Sequence, residues 1–355
     1  MHAIIIAGGF GTRLRPLTTR HPKHVLPVAG VPFLMHQISK LADAGITDVV
    51  LAASYRADQF DPLVVAAKSI GVTLRVETEE SPLGTGGAIR NAVDPLGLRA
   101  DEPVVVLNGD QLSGHSIVLQ IEEFEAARAD VSLQLVEVAD PRSYGCVPTD
   151  DNGRVTAFLE KSPDPVTRQV NAGCYVFRRR VLDAIPAGVE VSVERETFPA
   201  LLRTGAHVMG HVENRYWLDV GTPSALVQAS KDIVTGAVRT PAYPYSPSER
   251  HVERDVVVGH LASVRGGSAI SAEARIGANA RVEGSVVMGG AVVGDDAVIV
   301  DSVLGPNARI GARTTLHDSA VGDDAMIGAD CELMPGARVA CGVTIPDSAI
   351  RFSAG

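Results

Sequence analysis

The 355-residue sequence predicts an α/β protein in two parts, a doubly wound sheet-and-helix domain followed by a β-helical prism. Three observations predict it. Short apolar runs alternate with helix-compatible segments through the first two thirds of the chain, as successive βα units require. A glycine-rich loop follows the first of these runs. Beyond a Pro/Tyr/Ser stretch, aliphatic residues recur at steps of 6, 6 and 5, giving a 17-residue period.

The elements follow in order. His2 to Ala7 is an apolar run with the look of a buried strand that feeds the glycine loop. Pro32, with Leu34, Ile38, Leu41 and Ala42 at helical spacing and Gly45 at the stop position, predicts an amphipathic helix. Asp48 to Ala53, Thr73 to Glu77 and Pro103 to Leu107 are further strands, separated by helical stretches at Asp58 to Gly71 and Gly86 to Val93. Strands at Asp130 to Val138 and Asn171 to Phe177 bracket a polar segment, and the pattern ends near Ala237. This alternation predicts a Rossmann-like doubly wound sheet. The domains are expected at 1–237 and 251–355, with a linker at 238–250 that contains Pro241 to Ser248.

In the last third, the leading aliphatic positions are 270, 276 and 282, then 287, 293 and 299, then 304, 310 and 316, then 321, 327 and 333. Each set predicts one coil of three short strands, with one side chain per strand inside a triangular prism, and about four coils in all. A sandwich with Gly-rich turns would not hold one period over four cycles. The narrow interior excludes aromatic residues, which accounts for an aromatic content of only 4%. The pattern resembles the hexapeptide repeat of left-handed parallel β-helices.

Composition narrows the function. A formal charge of −10 without a basic run argues against nucleic acid as a partner, so bound phosphates must be held by local groups. No apolar stretch has the length of a membrane span, and Met1 to Gly9 lacks the basic start of a signal peptide, so a soluble cytoplasmic protein with no membrane partner is expected. Cys146, Cys174, Cys331 and Cys341 form no CxxC and are expected to be reduced, mostly buried thiols.

The loop reads Ala7-Gly8-Gly9-Phe10-Gly11-Thr12-Arg13-Leu14-Arg15-Pro16-Leu17-Thr18. It has no GK[ST] of a Walker A loop, and Leu14 stands where a dinucleotide fingerprint needs its third glycine. Three glycines let backbone N–H groups approach phosphate oxygens, and Arg13 adds a charged fork, so a polyphosphate ligand is expected. A tight β–α turn would explain the glycines but not the Thr-Arg-Leu-Arg-Pro-Leu-Thr that follows.

This opening motif is similar to that of the sugar-1-phosphate nucleotidyltransferases, GGxGTRLxPLT followed by Pro-Lys-Pro. Here the second segment is Pro22-Lys23-His24, with the last proline replaced. Leu83-Gly84-Thr85-Gly86-Gly87-Ala88, Asn108-Gly109-Asp110, Tyr144-Gly145, Phe158-Leu159-Glu160-Lys161, Asn171-Ala172-Gly173 and Trp217-Leu218-Asp219-Val220-Gly221-Thr222 follow in family order and span the first domain. With the prism appended, the chain most resembles actinobacterial GDP-mannose pyrophosphorylases (mannose-1-phosphate guanylyltransferases).

The resemblance implies attack of a sugar phosphate oxygen on the α-phosphorus of GTP, with pyrophosphate leaving. Such chemistry needs charge neutralisation and alignment more than proton transfer. Asp110, after a strand and a glycine, and Asp219 are the implied ligands of Mg²⁺, which prefers one or two carboxylates with phosphate oxygens and water. Either could instead be a turn or helix-capping residue. Arg13 and Lys23 are the implied phosphate-holding catalytic residues. Ala7, Gly8, Gly9, Gly11, Thr12, Glu79, Gly84, Thr85 and Asn108 would line the nucleotide, and Gly145, Glu160, Lys161 and Asn171 the sugar phosphate. Glu79, one of two glutamates with Glu80 before Ser81-Pro82-Leu83-Gly84, would read the guanine N–H edge; an exposed acidic turn explains the pair equally well. His317 is expected to be a coil-surface residue, not an acyltransferase base. Mannose 1-phosphate is the leading acceptor. Valienol 1-phosphate, a glucose-1-phosphate adenylyl- or thymidylyltransferase activity, and a non-catalytic regulatory subunit are the alternatives. The open ends of a β-helix further imply a homo-oligomer, a dimer or larger.

Overall fold

The computed structural model describes residues 1–54, 56–79 and 81–351, so Glu80 lies outside the described residues. These residues form two compact units. Met1–Gly9 with Gln37–Trp217 makes the first, and Phe10–His36 with Leu218–Gly355 the second. The segment 10–36, which carries most of the glycine loop, therefore folds with the C-terminal part of the chain.

The first unit is built on a nine-stranded sheet. Its strands are β1 (His2–Ile6), β2 (Asp48–Ala53), β3 (Thr73–Thr78), β4 (Pro103–Asn108), β5 (Val131–Glu137), β6 (Gly145–Cys146), β7 (Leu159–Glu160), β8 (Gln169–Arg178) and β9 (Val208–Val212). The order is β7-β6-β8-β4-β1-β2-β3, with β5 pairing β8 and β9. The run β3-β2-β1-β4 is parallel, and the chain leaves β1 in opposite directions, so a topological switch point lies between β1 and β4. The predicted strands are all present. The sheet is mixed, however, because β8 pairs antiparallel with β4 and β5.

Helices α1 (Phe33–Asp43), α2 (Asp61–Ser69), α3 (Gly84–Val93), α4 (Ile117–Ala126) and α5 (Phe198–Arg203) connect the strands. The stretch read as helical from Asp58 begins as a 3-10 turn at Ala57–Phe60, and Pro62 sits in the first turn of α2, where a missing N–H does no harm. Ile4, Val50, Val104, Val106, Tyr175, Phe177 and Phe198 are among the buried side chains of the core.

In the second unit, α6 (Pro223–Thr235) is capped by Thr222, whose hydroxyl accepts from the Ala225 N–H at 3.2 Å, and it stops at Gly236 with φ +82°. Three parallel sheets of six, six and five strands then wind a β-helix, consistent with the left-handed kind. All twelve aliphatic positions named above are buried, none more than 3% exposed. Register places Ile270 beside Val287, Leu304 and Val321 in turn, and Val282 beside Ile299, Leu316 and Leu333, so each step is 17 residues.

The helix is longer than the four coils read from the sequence. Val252, Val258 and Val264 begin it, pairing with Ile270, Ile276 and Val282, and Val339 and Ile345 extend it from Val321 and Ile327. These outer steps are 18 residues, one more than the internal period, which hid them. The five-residue corners of the inner coils carry a further device. Ser268, Ser285, Ser302 and Ser319 are stacked and buried, and the hydroxyls of the first three each accept the N–H of the serine one coil on, at 3.0 to 3.1 Å. The buried N–H groups of Ser285, Ser302 and Ser319 are thereby satisfied.

Candidate functional site

In the first unit the loop after β1 and the turn after β4 lie side by side at the carboxyl ends of those strands. The Gly109 N–H donates to the Ile6 carbonyl at 2.9 Å and ties the two strand ends together. Ala7 continues β1 by donating to the Ala52 carbonyl at 2.7 Å, Ser54 Oγ donates to the Gly8 carbonyl at 2.6 Å, and Gly9 is exposed. Beside this loop stands Glu79. It is only 9% exposed, which removes the exposed-turn reading. Its Oε2 accepts the Leu83 N–H at 3.2 Å, while Oε1 is buried without a hydrogen-bond partner. Burial raises its pKa above the usual carboxylate value, and the Leu83 N–H partly opposes the shift.

Asn108 and Asp110 flank the turn after β4. Gln37 Nε2, from α1, donates to the carbonyls of Asn108 and Gln111, both at 2.9 Å, and so fixes this turn. Tyr175 is fully buried in β8. Its hydroxyl accepts from Asn171 Nδ2 at 2.8 Å and Asn108 Nδ2 at 3.3 Å, and burial raises its pKa well above that of free tyrosine. One phenol thus joins a residue expected at the nucleotide to one expected at the sugar. Asn108 Oδ1 and Gln111 Oε1 are buried acceptors without partners, and Gln111 Nε2 donates to Asp110 Oδ1 at 3.3 Å.

Gly145 lies opposite Glu160 in the β6–β7 pair. A Cβ there would come within 2.9 Å of both Glu160 Oε2 and the Phe158 ring, so only glycine admits this approach. Burial and the charge of Glu194 raise the pKa of Glu160, against the pull of Lys161, whose Nζ is 3.9 Å from Glu160 Oε1. Lys161 itself is exposed. The ring of Trp217 meets Tyr144 edge-on at 5.2 Å, and its Nε1 donates to the Ala172 carbonyl at 2.9 Å.

Gly84 opens α3, but the hydroxyl of Thr85 is already engaged: it donates to Glu194 Oε2 at 2.6 Å and accepts from the Val193 N–H at 2.9 Å. The Gly86 N–H donates to the Val191 carbonyl at 2.7 Å. Much of the LGTGG motif therefore packs α3 against residues 191–194.

The second unit holds Gly11, Thr12, Arg13, Lys23 and Asp219. Gly11 has φ +60° and its carbonyl accepts from Thr18 Oγ1 at 2.7 Å; Thr12–Leu14 then forms a 3-10 turn. Arg13 is exposed, with Nη2 3.6 Å from Asp219 Oδ2. Gly221 makes room for the pair, since a Cβ there would stand 2.5 Å from Arg13 Nη2 and 2.9 Å from Asp219 Oδ1. Lys23 is half-buried on a second 3-10 turn, Lys23–Val25. His24, where the family has proline, is fully buried and points into the unit, so the replacement is a change of packing.

Among the described residues no group of three or more His, Cys, Asp or Glu could hold a metal ion. Asp110 and Asp219 nevertheless offer hard carboxylate oxygens, the donors a magnesium ion takes when phosphate and water complete its shell. Sequence reasoning missed Gln37, Gln111 and Tyr175. Gln37 lies in a helical run and Tyr175 in an apolar one, while Gln111 directly follows Asn108-Gly109-Asp110, and nothing in the spacing marks any of them. His317 is exposed. Cys146, Cys174 and Cys331 are buried free thiols, and Cys341 is half-buried. No helix among the described residues is long and apolar enough to cross a membrane.

The sheet order and the glycine loop are those expected of a nucleotidyltransferase. The nucleotidyl transferase family profile matches residues 2–236, and the chain belongs to that family; the GMPPB C-terminal domain profile matches residues 248–351. The mannose-1-phosphate guanylyltransferase of Mycobacterium tuberculosis (strain ATCC 25618 / H37Rv) is 48% identical over 352 residues, 99% of this chain and 97% of that protein. The mannose-1-phosphate guanylyltransferase catalytic subunit beta of Drosophila melanogaster is 37% identical over 236 residues, 66% of this chain and 61% of its own length. Among solved structures, HddC from Yersinia pseudotuberculosis complexed with GMP-PN is similar with a TM-score of 0.55 and 28% identity, over 65% of this chain and 98% of that one.

Proposed function

We propose that this protein transfers GMP from GTP to mannose 1-phosphate, giving GDP-mannose and pyrophosphate. The observation that carries the reading is the end-to-end likeness to the Mycobacterium tuberculosis mannose-1-phosphate guanylyltransferase, which extends through both units. The buried, unpartnered Oε1 of Glu79 supports guanine, because adjacent N1–H and N2–H₂ donors suit a carboxylate acceptor. HddC, likewise a structure bound to a guanine nucleotide analogue, is a second support.

In this reading Arg13 and Lys23 hold phosphate oxygens and draw charge from the α-phosphorus as it is attacked. The loop amides of Gly8, Gly9, Gly11 and Thr12 receive the triphosphate. Glu160 accepts sugar hydroxyl protons, Lys161 pairs with the sugar phosphate, and Asn171 is held in place by Tyr175. Mg²⁺ is the proposed cofactor, with Asp110 and Asp219 its proposed ligands; when bound it would offset the charge of the phosphates. The protein works in the cytoplasm as a homo-oligomer.

The test is pyrophosphate release with Mg²⁺ over a grid of GTP, ATP, UTP and dTTP against mannose, glucose and valienol 1-phosphates. Turnover with GTP and mannose 1-phosphate above about 1 s⁻¹ is expected. Selective turnover of valienol 1-phosphate would replace the acceptor, and silence across the grid would favour a regulatory subunit.

A further inference from the structure

The loop that carries Arg13 has little regular structure of its own. Between Phe10 and Leu26 it holds only the two single-turn 3-10 segments, and no sheet ladder fixes its carbonyls. Its tethers come instead from residues 323–341 of the β-helix. Arg338 Nη1 donates to the Arg13 carbonyl at 2.8 Å and to the Arg15 carbonyl at 3.0 Å. Cys341 Sγ lies 3.5 Å from the Pro16 carbonyl. His21 Nε2 meets Asp323 Oδ2 at 2.9 Å, with Asp323 only 3% exposed, and Arg20 pairs with Asp324.

We propose that Arg338 is a positioning residue: by clamping the Arg13 and Arg15 carbonyls it sets the direction in which the Arg13 guanidinium is presented to the nucleotide phosphates. The geometry suits arginine. Carbonyls two residues apart on a 3-10 turn converge on one nitrogen of a guanidinium whose planar fork limits its rotation, whereas a lysine ammonium offers a mobile point charge. On its other side, Arg13 reaches Asp219 across the space that Gly221 leaves. The backbone of Arg13 is therefore held from the β-helix, while its guanidinium faces the acidic residue expected at the reaction centre. This gives the β-helix a part in substrate presentation beyond packing. What Arg13 does in turnover rests on the guanylyltransferase reading; the clamp itself does not.

Two measurements on the full chain separate these claims. Hydrogen exchange reads the clamp directly, because the amides of Leu14, Arg15 and Leu17 are hydrogen-bonded within the loop and protected there. In Arg338→Ala their exchange should rise, while the thermal midpoint and exchange in β1 stay as in wild type. In steady-state turnover the same variant should raise KM for GTP about tenfold, leave KM for mannose 1-phosphate within about twofold, and be partly rescued as Arg338→Lys. Arg281→Ala, which removes an ion pair with Glu283 on another coil, should change neither readout. Unchanged loop exchange in Arg338→Ala overturns the clamp whatever the turnover. Raised exchange with an unchanged KM for GTP overturns the positioning role. An inert wild-type chain overturns the guanylyltransferase reading, and the exchange comparison then still decides the clamp.

Discussion

The sheet unit and the β-helix bury apolar cores by opposite means. In the β-helix one rule is repeated: Ile299, Leu316 and Leu333 do the same job in successive coils, and the serine stack satisfies successive corners in the same way. In the sheet unit no residue repeats another's role. Gln37 fixes one turn, Tyr175 joins two asparagines, and Glu79 keeps one carboxylate oxygen without a partner. Repetition makes a robust scaffold, and its absence is what allows chemistry. Damage to the repeated core layers should therefore appear as lost stability, and damage to the single-use supports of the sheet unit as lost turnover or selectivity.

The largest effect is expected at Asp110. Asp110→Ala should reduce pyrophosphate release by about a thousandfold at unchanged thermal midpoint, the scale of losing a group that stabilises transition-state charge. A midpoint that falls with activity would make Asp110 structural. The converse case is Ile299→Ala, which opens a cavity in a fully buried layer and should cost about 2–5 kcal/mol in denaturant unfolding. Its KM values at 25 °C should match wild type, and a shifted KM would break the division drawn above.

A third test uses pH. His36, almost fully buried in the second unit, accepts or donates at Thr240 Oγ1 (2.7 Å) and donates from Nε2 to the Val28 carbonyl (3.0 Å). Burial pushes its pKa from 6.5 down to about 4. Above 6.5 the imidazole is neutral in both folded and unfolded chains, and its contribution to stability is unimpaired. As pH falls from 6.5 toward 4, the unfolded chain binds a proton that the folded one does not, and stability is lost. Wild type should lose roughly 2–3 kcal/mol more than His36→Gln between pH 7.5 and 4.5 in urea unfolding; equal losses would show that His36 does not govern this window. The smallest effect is one of selectivity. Glu79→Gln should lower kcat/KM for GTP about tenfold and leave ATP little changed, since a Gln amide can meet only part of the guanine donor edge.

The two regions were also unequally legible in the sequence. Twelve inward positions of the prism could be read, because a narrow interior admits one kind of side chain at one period. The outer coils at Val252 and Val339 could not, because an 18-residue step breaks that period, and the serine stack went unread because small polar residues also suit any exposed turn. In the sheet unit Ala7-Gly8-Gly9, Asn108-Gly109-Asp110 and Gly145 were legible as parts of motifs. Their supports were not. Gln37 sits in an amphipathic helix and Tyr175 in an apolar strand, and only the fold brings them to the motif residues. Gly84 and Thr85 were placed at the nucleotide by resemblance alone, and the bonds that Gly86 and Thr85 make in holding α3 to residues 191–194 could not be read from the motif. His24 stands in the sequence only as a replaced proline, and its burial in the interior is visible only in the fold.

Trp217 gives this molecule an optical property. It is the single tryptophan of the chain, set against Tyr144 beside Gly145 and bonded to the carbonyl of Ala172 beside Asn171. Ultraviolet excitation at the red edge therefore addresses one indole, at the corner where the sugar phosphate is proposed to lie. Its emission can follow occupancy of that corner in the unlabelled protein, independently of whether the nucleotide has reacted.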